Sequence, residues 1–146
     1  CLMDMSLLKP LSGILEVSIA EIINGEKDNN NFDNAIERLN VGLMEEPDEL
    51  RIDGVLQRFE FTFELAWKCM KDFLELEGIV SNIGSPREII QLAFKHNIIE
   101  NGEAWIEMML SRNNLSHMYD KEISRKIYDK IKSKYIVLLK KLQEKI

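Results

Sequence analysis

Cysteine is scarce in this chain. Cys1 and Cys69 are the two among 146 residues, too few for a disulfide framework, and neither sits in a CxxC or Cys/His cluster with zinc spacing. Cys69 lies among apolar residues and is expected in the core. Proline and glycine are also few, three and seven, and strict apolar/polar alternation is nearly missing, which argues against a strand-rich fold. No run of 18 uncharged apolar residues occurs, and the start carries neither a basic stretch nor a small-residue cleavage site. The expectation is a cytoplasmic chain that does not enter a membrane. With two histidines and no second acidic cluster near Glu60 and Glu64, neither a metal site nor a cofactor is expected.

What is present is charge, unevenly spread. The formal net charge of −6 argues against a generic nucleic-acid binder, whose surface must neutralise phosphates. Residues 112–146, however, hold ten Lys/Arg against four Asp/Glu, leaving nine against twenty-one in residues 1–111. Lys121, Arg125, Lys126, Lys130, Lys132 and Lys134 are candidates to track a phosphate backbone, although a solvated helix face explains the same run.

Helical periodicity dominates, and the chain reads as all-α. Apolar residues from Leu7 to Ile23 predict a leading helix over residues 6–23, ended by an Asn-rich linker. Phe32, Ile36, Leu39 and Leu43 mark a helix over residues 32–44. A long helix over 48–77 carries Ile52, Val55, Leu56, Phe59, Phe63, Ala66, Trp67, Met70, Phe73 and Leu74, widened by Phe61, Leu65 and Cys69, so it should be central. Gly78 is placed to close it. Ser85, Pro86 and Glu88 form an N-cap, N1 and N3 signature for a short helix ending near His96, where a solvated C-cap is the plain reading of that histidine. Another helix starts near Asn101 and carries Trp105, Met108 and Met109; the last starts near Asp120, with Ile123, Ile127, Ile131, Tyr135, Leu138, Leu142 and Ile146 as its buried edge. The simplest architecture is an up-and-down bundle of four or five helices over 32–146, with residues 1–31 as an added N-terminal helix and linker.

One residue sits in the wrong place for this pattern. Arg112 follows Trp105, Met108 and Met109 on an apolar stripe, and Tyr119 would extend the line if the helix persisted that far. Asn113 and His117, four apart, would share the adjacent face. Two readings stand. Arg112 meets a phosphate, for which its planar fork is suited, or it bonds a neighbour's carboxylate or carbonyls while His117 caps a helix end. The like-charged pair Glu60 and Glu64 reads as a solvated face or part of an ion-pair network.

The run DGVLQRFEFTFELAWK from Asp53 to Lys68, the Ser85-Pro86-Arg87-Glu88 start, the Trp105 helix and the stretch from Arg112 to Tyr119 occur together in one order. In these four segments the chain resembles the nucleotidyltransferase substrate-binding proteins, a branch of the HEPN superfamily, over about residues 32–140.

The resemblance implies a four- or five-helix bundle that forms homodimers and pairs with a minimal nucleotidyltransferase as toxin and antitoxin, a type VII-like module. It implies that Arg112, Asn113 and His117 form a metal-independent ribonuclease motif completed where two protomers meet, acting on tRNA or mRNA. It also implies that Tyr119 is where the partner enzyme attaches AMP, blocking the nuclease. Lys121, Arg125 and Lys126 would then contact RNA. The chemistry is coherent: an imidazole takes the proton of a 2′-hydroxyl, a guanidinium stabilises charge on the attacked phosphate, and the acid for the leaving oxygen comes from a second protomer's His117. The alternative is a non-catalytic subunit that presents nucleotide or another substrate to its nucleotidyltransferase.

Overall fold

The computed structural model describes residues 29–79, 84–117 and 119–146. The leading helix expected over residues 6–23 lies outside them. Helix α1 covers residues 29–43, followed by α2 (Glu49–Leu76), α3 (Pro86–Lys95) and α4 (Gly102–Asn113). A 3-10 turn (Asn114–His117) leads to α5 (Lys121–Lys130), which runs through a π-helical turn (Ile131–Tyr135) into α6 (Ile136–Lys145). No strand occurs among the described residues, so the chain is an all-α bundle as its periodicity predicts.

Caps set the helix boundaries. Asp48 accepts from Arg51 N at 2.7 Å to start α2, Ser85 Oγ accepts from Glu88 N at 3.1 Å to start α3, and Asn101 Oδ1 accepts from Ala104 N at 3.1 Å to start α4. Asp120 Oδ1 takes the N–H groups of Glu122 and Ile123 to start α5. Gly78 adopts φ +73° after α2, and Ile79 N bonds back to Leu74 O at 2.9 Å while Gly78 N bonds Glu75 O at 3.0 Å. Asn97 does the same after α3 at φ 62°, with Ile98 N on Ala93 O at 2.8 Å, so His96 is the C-cap its position suggested.

Helix α2 is the central element, packing against α3, α4, α5 and α6. It also packs against α1, which runs antiparallel to it: Arg58 Nη1 donates to Arg38 O and Thr62 Oγ1 to Ala35 O. Gly42 lets the two approach, since a Cβ there would stand 3.1 Å from Val55 Cγ2. The core is built from Phe32, Leu39, Leu56, Phe59, Phe63, Met70, Ile89, Ile90, Trp105, Tyr128 and Tyr135, all essentially inaccessible, and Cys69 is buried with them.

Three details depart from the sequence pattern. Phe61 does not widen the core; it is 65% exposed, because the inward place on that face goes to Thr62, whose hydroxyl is satisfied by Arg58 O at 2.7 Å. Helix α4 does not persist to Tyr119, because the chain tightens at Asn114 into a turn anchored by buried Leu115. In the last helix Leu139, not Leu138, reaches the core, with Ile136 and Tyr128 also buried. Residues 127, 131, 135 and 139 repeat every four positions, longer than the 3.6-residue turn, and the π-helical turn absorbs the drift.

Candidate active site at the end of α4

The last turn of α4 presents Arg112 and Asn113, and the 3-10 turn that follows presents His117. Asn113 and His117 are exposed, whereas the Arg112 side chain is 31% exposed and lies against α2. Its Nη2 stands 2.5 Å from Glu64 Oε1 and 3.9 Å from Glu60 Oε1. Glu64 uses its other oxygen to accept from Trp67 Nε1 at 3.2 Å. The like-charged carboxylates of α2 are therefore an ion-pair network around one guanidinium, one of the arrangements their spacing allowed. Arg112 Nε is buried and meets no acceptor among the described residues.

Behind this corner, α4 is fastened to the last helix. Ser111 is buried, and its Oγ lies 2.7 Å from Tyr135 Oη. The Tyr135 ring stacks on Phe59 at 5.6 Å between centroids. Burial pushes the Tyr135 phenol up to about 12; the Ser111 hydrogen bond works against this, and the carboxylate of Glu107 adds to it. Glu107 in turn meets Lys134 at 2.6 Å and Lys130 at 3.1 Å, and the Lys134 ammonium leads in holding its carboxyl below the usual range, against partial desolvation. Neither Ser111 nor Glu107 stood out in the sequence: serine gives no apolar signal, and an ion-pair partner 27 residues away in the chain leaves no local pattern.

Tyr119 lies beyond the turn, 82% exposed, with Oη 3.3 Å from His117 Nδ1 and the two rings edge to face at 6.0 Å. The pair is local, two residues apart, and needs no continuous helix to form. Lys121, Arg125 and Lys126 follow on α5, each exposed and each beside a carboxylate: Lys121 with Glu49 at 3.4 Å, Arg125 with Asp129 at 3.4 Å and Lys126 with Glu122 at 3.6 Å. Exposed pairs of this kind are weak and exchange readily for other anions. Lys130 and Lys134 of the same basic run are occupied by Glu107. Among the described residues no group of three or more His, Cys, Asp or Glu is arranged to hold a metal ion, and no helix is long and apolar enough to cross a membrane.

An all-helical bundle with an Arg-Asn-x3-His sequence across a helix end and its following turn is thus the class of protein that fold and site define. The chain belongs to the family described as nucleotidyltransferase substrate binding protein like, whose model matches residues 27–146. It is 34% identical over 83 residues to the probable ribonuclease HepT of Haemophilus influenzae strain Rd, a match covering 55% of this chain and 57% of that protein. The chain thus spans little more than half the length of that curated relative. Among solved structures, a Haemophilus influenzae protein described as having the fold of a substrate binding domain of a nucleotidyltransferase aligns with TM-score 0.71 at 25% identity, covering 80% of this chain and 96% of that one. A Thermus thermophilus protein aligns with TM-score 0.70 at 25% identity, over 76% and 94%.

Proposed function

We propose that this chain is a metal-independent RNA endonuclease, the toxin of a type VII-like toxin–antitoxin module, held in check by a minimal nucleotidyltransferase that transfers AMP to Tyr119. The observation that carries the reading is the contact between His117 and Tyr119: a hydroxyl exposed enough to be modified stands 3.3 Å from the imidazole that would do the chemistry. Kinship with a protein named probable ribonuclease supports it.

In the proposed reaction His117 accepts the proton of an RNA 2′-hydroxyl, and the 2′-oxygen attacks the adjacent phosphorus. The bond from phosphorus to the 5′-oxygen breaks, and that oxygen takes a proton from the partner's His117 in a homodimer, leaving a 2′,3′-cyclic phosphate and a 5′-hydroxyl. Arg112, positioned by Glu64, stabilises the charge that builds on the phosphate, and Asn113 orients the phosphate or the imidazole. In the off-switch, Tyr119 Oη attacks the α-phosphorus of ATP, pyrophosphate leaves, and the phenolic proton passes to solvent. The new phosphodiester then occupies the space beside Nδ1.

The test is cleavage of RNA by the purified chain in EDTA. The expected result is cyclic-phosphate ends, lost in both His117→Ala and Arg112→Ala; equal cleavage by wild type and both variants would show a contaminant and end the proposal. A second reading, a non-catalytic substrate-binding subunit of a nucleotidyltransferase, is favoured by the family description and by the two carboxylates that crowd Arg112, which repel a polyanion. It predicts no cleavage by any form and a stable complex with the partner enzyme.

A further inference from the structure

Tyr119 also forms one wall of a groove between the start of α2 and the start of α5, with a volume of about 370 Å³. Small-ligand sites occupy roughly 300–1,000 Å³, so this groove falls at the small end of that range. The walls are chemically divided. Lys121 and Arg125, one turn apart, line it from α5; Glu49 and Asp53, also one turn apart, line it from α2; Ile52 supplies apolar surface between them.

A nucleoside monophosphate has that same division: a phosphate that needs cations, and ribose hydroxyls and a base amine that need acceptors. We propose that this groove is an adenylate-binding site, the seat in which an AMP carried on Tyr119 lies. The assignment of its physiological occupant rests on the reading of Tyr119 as the modified residue; the chemistry of the groove does not. Lys121 spans the groove to Glu49 at 3.4 Å with both side chains more than two-thirds exposed, a pair that opens without large cost when a phosphate arrives. Arg125 bonds Asp129 at 3.4 Å through Nε and rests over the Tyr128 ring at 5.6 Å. That pair is exposed on both sides and, like the one at Lys121, opens without large cost. Seated this way, the adenylate would be held down beside His117 instead of swinging free, so one modification would block the imidazole persistently.

The experiment titrates AMP and adenosine into the unmodified full chain and into Lys121→Ala/Arg125→Ala, with thermal melts confirming that each is folded. Wild type should bind AMP about tenfold more tightly than adenosine, and the double variant should bind the two alike. Chain adenylylated on Tyr119 by the partner enzyme should no longer take up added AMP, because the tethered group fills the groove. Absence of saturable AMP binding, or AMP binding unchanged in the double variant, would overturn the site. Undiminished AMP uptake by the modified chain would overturn it as the seat of the tethered group. Failure of the partner enzyme to add AMP to Tyr119 would instead sink the off-switch, and the AMP/adenosine ratio would still decide the groove.

Discussion

Glu64 of α2 grips Arg112 of α4 at 2.5 Å with one carboxylate oxygen and accepts from Trp67 of its own helix with the other. A guanidinium at the edge of an apolar stripe is thereby fixed in one orientation, and its charge is partly offset before any phosphate arrives. Glu60, 3.9 Å from the same nitrogen, adds a second negative charge without replacing that grip. The two carboxylates should therefore separate on substitution. Glu64→Ala leaves Arg112 poorly aimed, and RNA cleavage should fall about 10- to 100-fold in kcat with little rise in KM. On the proposed mechanism Glu60→Gln removes a repulsive charge from the path of the phosphate and should lower KM several-fold at low salt with kcat retained. Steady-state cleavage of a short RNA by both variants measures the split, and equal loss of kcat in the two would mean the pair acts as a unit.

Tyr119 contributes a hydroxyl beside His117 but does not hold it from a buried position. Tyr119→Phe should accordingly keep RNA cleavage within about threefold of wild type, since an exposed hydrogen bond contributes little to geometry or stability. With the partner nucleotidyltransferase and ATP present, wild type should be silenced and gain AMP mass in the peptide containing Tyr119, while Tyr119→Phe stays active. Silencing of the variant would place the control elsewhere.

Most of this fold is legible in the sequence. Ser85, Asn101, Asp120 and Gly78 act as the caps their residue types announce, with Pro86 in the first turn of α3, because capping is a local interaction within a few residues. The buried faces of α1 and α2 followed from spacing for the same reason. The site was legible only in part. Asn113 and His117 lie close in sequence, but nothing local says that α4 stops at Asn113 or that Glu64 is the partner of Arg112, some 48 positions away. The π-helical turn was equally hidden: a four-residue repeat fits an ordinary helix over two turns and conflicts with it only over four. Phe61 marks the converse limit, an aromatic whose type suggested burial and whose position on α2 points it outward.

The ion pairs at Glu107 give the acid limb of stability a specific origin. Its carboxyl sits below the usual range, so it contributes stability that is present above the carboxyl's unfolded value and is lost as pH falls through the lower folded one. Glu107→Gln should flatten that part of the acid denaturation curve. Because the Glu107 side chain is itself partly exposed, the effect should also shrink in about 1 M salt, where surface charges are screened. Acid titrations followed by circular dichroism, with and without salt, test both statements.

Tyr135 works at the other end of the scale and through a different force. Its phenol is raised to about 12 chiefly by burial, so the folded chain keeps the proton after the unfolded chain has released it near 10. Stability from this group is complete below pH 10 and declines as pH rises from about 10 to 12, a decline that Tyr135→Phe should abolish. At neutral pH the same substitution should be destabilising, because it strands the buried Ser111 hydroxyl that lay 2.7 Å from Tyr135 Oη, at a cost of about 1–3 kcal/mol. Removing both hydroxyls tests the cause. If the cost is an unpaired polar group, Ser111→Ala/Tyr135→Phe should recover most of the loss in urea denaturation, whereas a cost arising from an altered ring stack on Phe59 would persist in the double variant. Ser111 directly precedes Arg112, so the double variant also reports on function: a stable chain with slowed RNA cleavage would mean that this buried pair sets the register of α4 on which the arginine's aim depends.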